Sequence, residues 1–303
     1  MSSDAPDPVD VVCVGSPFLD LIFRGLPALP VPGAEQLADE LVIVPGAMAN
    51  VAFALERLGL HAAICAPIGH DPAGRLLQEL MAEAGIRWVG PDTDSTPVSV
   101  ALPVDGDRAF VTLAPTIEID ISPLDDLRPR AVVIDLPAVH RLPELPIVYA
   151  VVGDPEVRLL AGNLPSSLRA VRALIVNARE ARGLVGGDDL DEAAARLAAL
   201  GTLVVVTCGA AGAMAVDVDG TIVRTPAPMV DVDDPTGAGD LFTAAYVRAD
   251  LDERPLAERL SLATTYASLS LAAPGSRQKG ITRDEFMRAL ADREGTGTSL
   301  EEA

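Results

Sequence analysis

The chain has 303 residues, a net charge of −21 and a pI near 4.4, with 49% hydrophobic and 22% charged residues. Such a composition describes a globular protein able to bury one large core or two modest ones. The acidic balance argues against a nucleic-acid or acidic-membrane partner, so an anionic substrate has to be held by local amides or a metal. In chain order, residues 1–9 read as a loose tail and Val11 to Gly15 as a short buried strand. Ser16 to Asp20 reads as a loop, and Glu35 to Val44 as strand-like. Pro45-Gly46-Ala47-Met48-Ala49-Asn50 opens a helix that stops at Gly59. Ala62 to Pro67 is a second buried strand, and an amphipathic helix to Ala84 follows. Strand alternating with helix predicts a parallel sheet with helical crossovers.

From Val98 to Leu113 the rhythm changes, because two extended runs flank Asp105-Gly106-Asp107, a hairpin signal. With the 35–44 segment this predicts a small β-flap over the main sheet. Strand candidates resume at Ala131 to Leu136, Ile147 to Val152, Ala173 to Val176 and Leu203 to Thr207, with a helix over Leu190 to Leu200. Ala213 to Val218 and Thr221 to Arg224 form a hairpin about Asp219-Gly220. Helices over 239–250, 255–272 and 282–292 close the chain, and a polar tail begins near Gly295.

Lys279 is the only lysine, and Gly280 follows it, so neither a Walker A loop nor a protein-kinase lysine is available. Cys13, Cys65 and Cys208 form no Cys-x-x-Cys pair, which argues against a zinc site or a disulfide framework. Buried free thiols suit a reducing cytoplasm. The N-terminus does not read as a signal peptide, and no apolar stretch is long enough to cross a bilayer. A cytoplasmic protein is expected, with no nucleic-acid or membrane partner.

Chemistry concentrates at Asp231 to Phe242. Thr236, Gly237, Ala238 and Gly239 leave the backbone bare where a helical pattern starts, and bare N–H groups at a helix start hold anions. Asp240 is placed to take a proton while those amides hold developing negative charge. A helix cap is the plain alternative. Thr207-Cys208-Gly209-Ala210-Ala211-Gly212 follows a strong strand, where open α/β sheets bind ligands. Asn177 and Glu180 follow another strand; they suit either Mg²⁺ held through water or a capping box, and spacing alone favours the box. His61, His70 and His140 show no metal spacing and read as structural.

Taken together these stretches resemble the PfkB, or ribokinase-like, family of carbohydrate and nucleoside kinases, from about Val11 to about Leu290. Asp234 with Thr236-Gly237-Ala238-Gly239-Asp240 matches the family's C-terminal signature, with Pro235 in place of the usual Thr. Gly46, Asn50, Ala52, Gly59 and Gly69 fit its N-terminal signature, with Pro45 where a first glycine is common. The resemblance implies a three-layer α/β/α sandwich with a mostly parallel central sheet and a small β-sheet lid. It implies one kinase domain over 10–293, with lid segments at about 16–45 and 96–117 and flexible tails at 1–9 and 294–303. It further implies ATP as co-substrate and a primary hydroxyl of a small sugar or sugar acid as acceptor; a nucleoside kinase or an inactive sugar binder is the alternative. Asp240 would be the general base, and Gly237, Ala238 and Gly239 the anion hole. Thr207, Gly209 and Gly212 would line the ATP site, with Asn177 and Glu180 organising Mg²⁺ and phosphate. Asp20, Gly46 and Asn50 would contact the acceptor, and Asp234 would ligate a monovalent cation such as K⁺. Where some members place a glutamate on the substrate, this chain has Asp135-Leu136-Pro137, which argues against ribose itself. Open strand edges in the flap predict a homodimer.

Overall fold

A computed structural model describes residues 8–104, 107–114, 119–141, 147–231, 236–273 and 280–297. The first nine strands are β1 (Val11–Val14), β2 (Pro17–Arg24), β3 (Glu40–Ala47), β4 (Ala62–Cys65), β5 (Ile68–Gly69), β6 (Arg87–Val89), β7 (Asp92–Thr93), β8 (Val98–Val104) and β9 (Asp107–Leu113). The rest are β10 (Ala131–Asp135), β11 (Val148–Val151), β12 (Ala173–Asn177), β13 (Leu203–Thr207), β14 (Ala213–Val216) and β15 (Ile222–Thr225). The helices are α1 (Met48–Arg57), α2 (Pro72–Glu83), α3 (Pro123–Leu127), α4 (Asp154–Leu160), α5 (Ala178–Val185), α6 (Leu190–Ala198), α7 (Ala238–Leu251), α8 (Leu256–Ala272) and α9 (Arg283–Gly297).

One sheet runs β15-β14-β13-β12-β11-β10-β1-β4-β6. Its strands pair in parallel from β6 to β13, and β14 and β15 add an antiparallel edge. Successive side chains on a strand face opposite sides, so each buried strand feeds two cores. In β1, Val11 and Cys13 pack with α1, α7 and α8 on one face, while Val12 and Val14 pack with residues of α4, α5 and α6 on the other. The result is the expected three-layer α/β/α sandwich.

The lid is a separate sheet, β3-β2-β8-β9. Its small core is Ile22, Val44 and Ala101, and a hydroxyl pair, Ser99 with Thr112 at 2.9 Å, spans β8 and β9. Several local expectations are corrected. Ser16 to Asp20 is no loop: residues from Pro17 onward form β2, paired residue for residue with β3. β3 starts at Glu40 instead of 35 and runs through Pro45 and Gly46 into α1. α9 continues to Gly297, past the start of the expected polar tail. The 98–113 hairpin is present with Val104 opposite Asp107; its tip, Asp105 and Gly106, lies outside the described residues.

Candidate active site

β3 ends at Ala47, whose φ of 51° turns the chain directly into α1. The lid is thereby joined to the main body beside the C-terminal ends of β10, β11, β12 and β13. Two cavities open there. One, of about 270 Å³, is lined by the main-sheet residues Asp135, Asn177 and Thr207, by Glu180, and by Gly239 and Asp240 at the start of α7. The other, of about 590 Å³, is lined by Gly209, Gly212, the 227–231 segment, and Phe242, Ala267 and Leu271. Thr207 and Gly239 belong to both, so the cavities meet.

Gly237 precedes α7 with a φ of 80°, a conformation glycine adopts without strain. No side chain caps this helix, so its first amides keep no partner within the helix, and Ala238 and Gly239 of that turn line the cavities. Neither packing nor backbone angle requires glycine at 239, because a Cβ there would meet nothing within 4 Å. Its absence leaves bare backbone toward the cavities. Asp240, in the same first turn, accepts a hydrogen bond from Asn50 Nδ2 at 2.9 Å, and Asn50 is buried in α1. Burial pushes the Asp240 carboxyl up to about 7, against the lowering effect of the Asn50 bond and with the Asp20 charge adding to the rise.

On the lid, Asp20 lies on β2, and its carboxylate sits directly over Gly46 of β3. A Cβ at Gly46 would stand 2.3 Å from Asp20 Oδ2, so only glycine fits that carboxylate there. Burial raises the Asp20 carboxyl to about 6. Asp20, Gly46, Asn50 and Asp240 are thus brought together from β2, β3, α1 and α7, and of the four Asp240 lines the smaller cavity.

The capping-box reading of Asn177 and Glu180 holds. Asn177 Oδ1 accepts from the amides of Arg179 and Glu180, and Glu180 Oε2 accepts from the Asn177 amide at 2.8 Å, a reciprocal capping box. Both residues also line the smaller cavity. Burial raises the Glu180 carboxyl to about 7. Gly212, with φ 97°, is packed so closely on β15 that a Cβ would stand 2.0 Å from the Thr225 carbonyl oxygen. Its glycine is fixed by the β13–β14 connection as well as by the cavity it lines.

Asp135 was no candidate site residue in the sequence, yet it lines the smaller cavity at the end of β10. Burial, with the charges of Glu156 and Asp240, pushes its carboxyl up to about 7. Its sequence signals are an acid ending a buried apolar run and its place where some members of the resembled family put a glutamate on the substrate. Phe242, Ala267 and Leu271 were missed as well; their signal is one apolar face shared by two consecutive helices. Asp234 lies outside the described residues. His61 and His70 line neither cavity; both are exposed, beside Glu56 and Asp92 respectively.

This geometry has counterparts. The model of the pfkB family of carbohydrate kinases matches residues 10–119 and 148–282. The chain belongs to that family, a class of phosphotransferases. It is similar to a fructokinase of Klebsiella pneumoniae, 28% identical over 81% of this chain and 91% of that one. An aminoimidazole riboside kinase of Salmonella typhimurium is 30% identical over 76% of this chain and 82% of its own. Among solved structures, Arabidopsis thaliana ribokinase complexed with ribose and ATP superposes with a TM-score of 0.78 at 22% identity, covering 94% of this chain and 99% of that one. That likeness establishes the ribokinase fold.

Proposed function

We propose that the protein transfers the γ-phosphoryl group of ATP to a primary hydroxyl of a small sugar. The observation that carries this reading is the pairing of the Asp240 carboxylate, hydrogen-bonded to Asn50, with the uncapped start of α7. The acceptor hydroxyl lies between Asp20, Gly46 and Asn50 on the lid side and Asp240 below. Asp240 takes its proton as the oxygen attacks phosphorus, and the amides at Gly237, Ala238 and Gly239 hold the charge spread over the phosphoryl oxygens. Phosphoryl transfer depends mainly on alignment and charge stabilisation, so it needs no P-loop lysine.

The larger cavity takes the base and ribose of the nucleotide, with Phe242, Ala267 and Leu271 as its apolar wall and the Thr207, Gly209 and Gly212 backbone near the phosphates. Among the described residues no three acidic, His or Cys side chains converge on one point as a metal cage. Mg²⁺ fits such a site, because it keeps several waters and takes phosphate oxygens as ligands. Glu180 would reach it through water; bound there, Mg²⁺ neutralises phosphate charge. One kinase domain spans 10–293, with the lid inserted in it, and its use of ATP points to the cytoplasm. Among the described residues no helix is long and apolar enough to cross a membrane.

The test is ATP consumption over a panel of free sugars and ribosides, the latter included because one relative is a riboside kinase. Asp240→Asn is expected to bind ATP nearly as the parent does and to turn over on the order of 10²–10⁴ times more slowly. Near-normal turnover in that variant refutes the role given to Asp240.

A further inference from the structure

We propose that the acceptor carries no negative charge, being an uncharged or amine-bearing polyhydroxy compound, and that Asp135 is the residue that turns away sugar acids and sugar phosphates. The inference rests on the reading of the smaller cavity as the place of phosphoryl transfer, and it removes the sugar acids that the sequence alone left open.

Among the described residues that line the smaller cavity, the charges all have one sign. Asp135, Glu180 and Asp240 line it, and no lysine or arginine stands among the described residues lining either cavity. Asp20 acts on Asp240, and Asp240 acts on Asp135, so the lid and floor carboxylates feel one another across the cleft. Arg179, which acts on Glu180, pairs with Asp154 at 2.8 Å.

The helix start at Gly237 to Gly239 answers for one anion, and phosphoryl transfer uses it. A carboxylate or phosphate on the acceptor would then meet no cation among the described lining residues, and would face several carboxylates. Like charges brought together in a half-buried site cost affinity on the order of 10²-fold.

Asp135 has no other evident task. Asp240 serves as base, and Glu180 caps α5. Asp135 is held against bare backbone, since a Cβ at Gly15 would stand 2.3 Å from its Oδ2. From there its oxygens can accept from acceptor O–H or N–H groups, and the ionised carboxylate repels an anion.

Matched sets test this: ribose with ribonate, fructose with fructose 6-phosphate, glucose and glucosamine with gluconate. Transfer to the uncharged or amine-bearing member at least about 100-fold better in kcat/KM than to its anionic partner is expected; equal or better use of the anion overturns the proposal. In Asp135→Asn the anion-to-neutral ratio of kcat/KM is expected to rise about tenfold, while Asp135→Glu keeps the parent ratio. An unchanged ratio in a folded Asn variant removes Asp135 from the role. Thermal stabilisation of the parent protein by the same sets gives an arm free of turnover. If neutral sugars raise the melting temperature, anionic ones do not, and none is phosphorylated, the kinase reading fails while the charge rule stands. Silence in both arms overturns both.

Discussion

Burial pushes the carboxyls of Asp240, Asp135 and Glu180 up to about 7 and that of Asp20 to about 6, and none of the four forms an ion pair with a described residue. A carboxyl whose folded value exceeds its unfolded one binds protons more readily in the folded state. Between roughly pH 4 and 7 the ligand-free protein should therefore lose stability as pH rises. The same titration acts oppositely on the reaction, because the base must be ionised: turnover should fall as pH drops below about 7. Asp135→Asn removes one of these buried charges. After allowance for water in the cavity the gain is about 1–2 kcal/mol, or roughly 1.5–3 °C in melting temperature at pH 7.5, and it should shrink toward zero at pH 4. Melting curves at the two pH values check this, and a variant less stable at pH 7.5 than the parent would contradict it.

At the scale of the element, α7 carries the proposed chemistry at one end and a buried anchor at the other. Asp250 accepts from Tyr149 Oη at 2.6 Å and from Arg172 Nε and Nη2 at 3.0 and 2.9 Å, and pairs with Arg259 of α8. Burial works against the Asp250 ion, but the Arg172 and Tyr149 bonds and the Arg259 charge outweigh it and hold its carboxyl below the usual range. Asp250→Ala leaves Arg259 and the Tyr149 hydroxyl without this partner and should cost about 3–5 kcal/mol, read by urea unfolding. A loss under 1 kcal/mol would mean that α7 is held by its apolar packing alone.

The start of α7 was legible because glycines, a threonine and an acid are conspicuous against an apolar helix. Strand β2 was not, since Pro17-Phe18-Leu19-Asp20-Leu21-Ile22-Phe23-Arg24 shows no clean alternation; apolar residues stand on both of its faces. Asp135 by itself reads as a strand-end acid, because its placement depends on Gly15, 120 residues away in sequence, leaving space for it. Helix α4 has seven residues, too few for a helical period to stand out.

At the scale of the whole molecule, the lid gives the best ground for assembly. Ile22, Val44 and Ala101 form its inner core, yet Leu41 and Ile43 on β3 and Phe110, Val111 and Leu113 on β9 remain exposed. These two strands are the sheet's open edges, where unpaired N–H and C=O groups invite another strand. A second copy would cover both edges and the apolar side chains near them, and we propose a homodimer through the lids on that ground. Sedimentation at micromolar concentration should show the dimer, and Ile43→Asp with Val111→Asp should leave a folded monomer, because a carboxylate buried in such an interface has no cation to meet it. Circular dichroism of the double variant separates dissociation from unfolding. A parent protein that sediments as a monomer would refute lid pairing, and a double variant that stays dimeric would move the interface to another face.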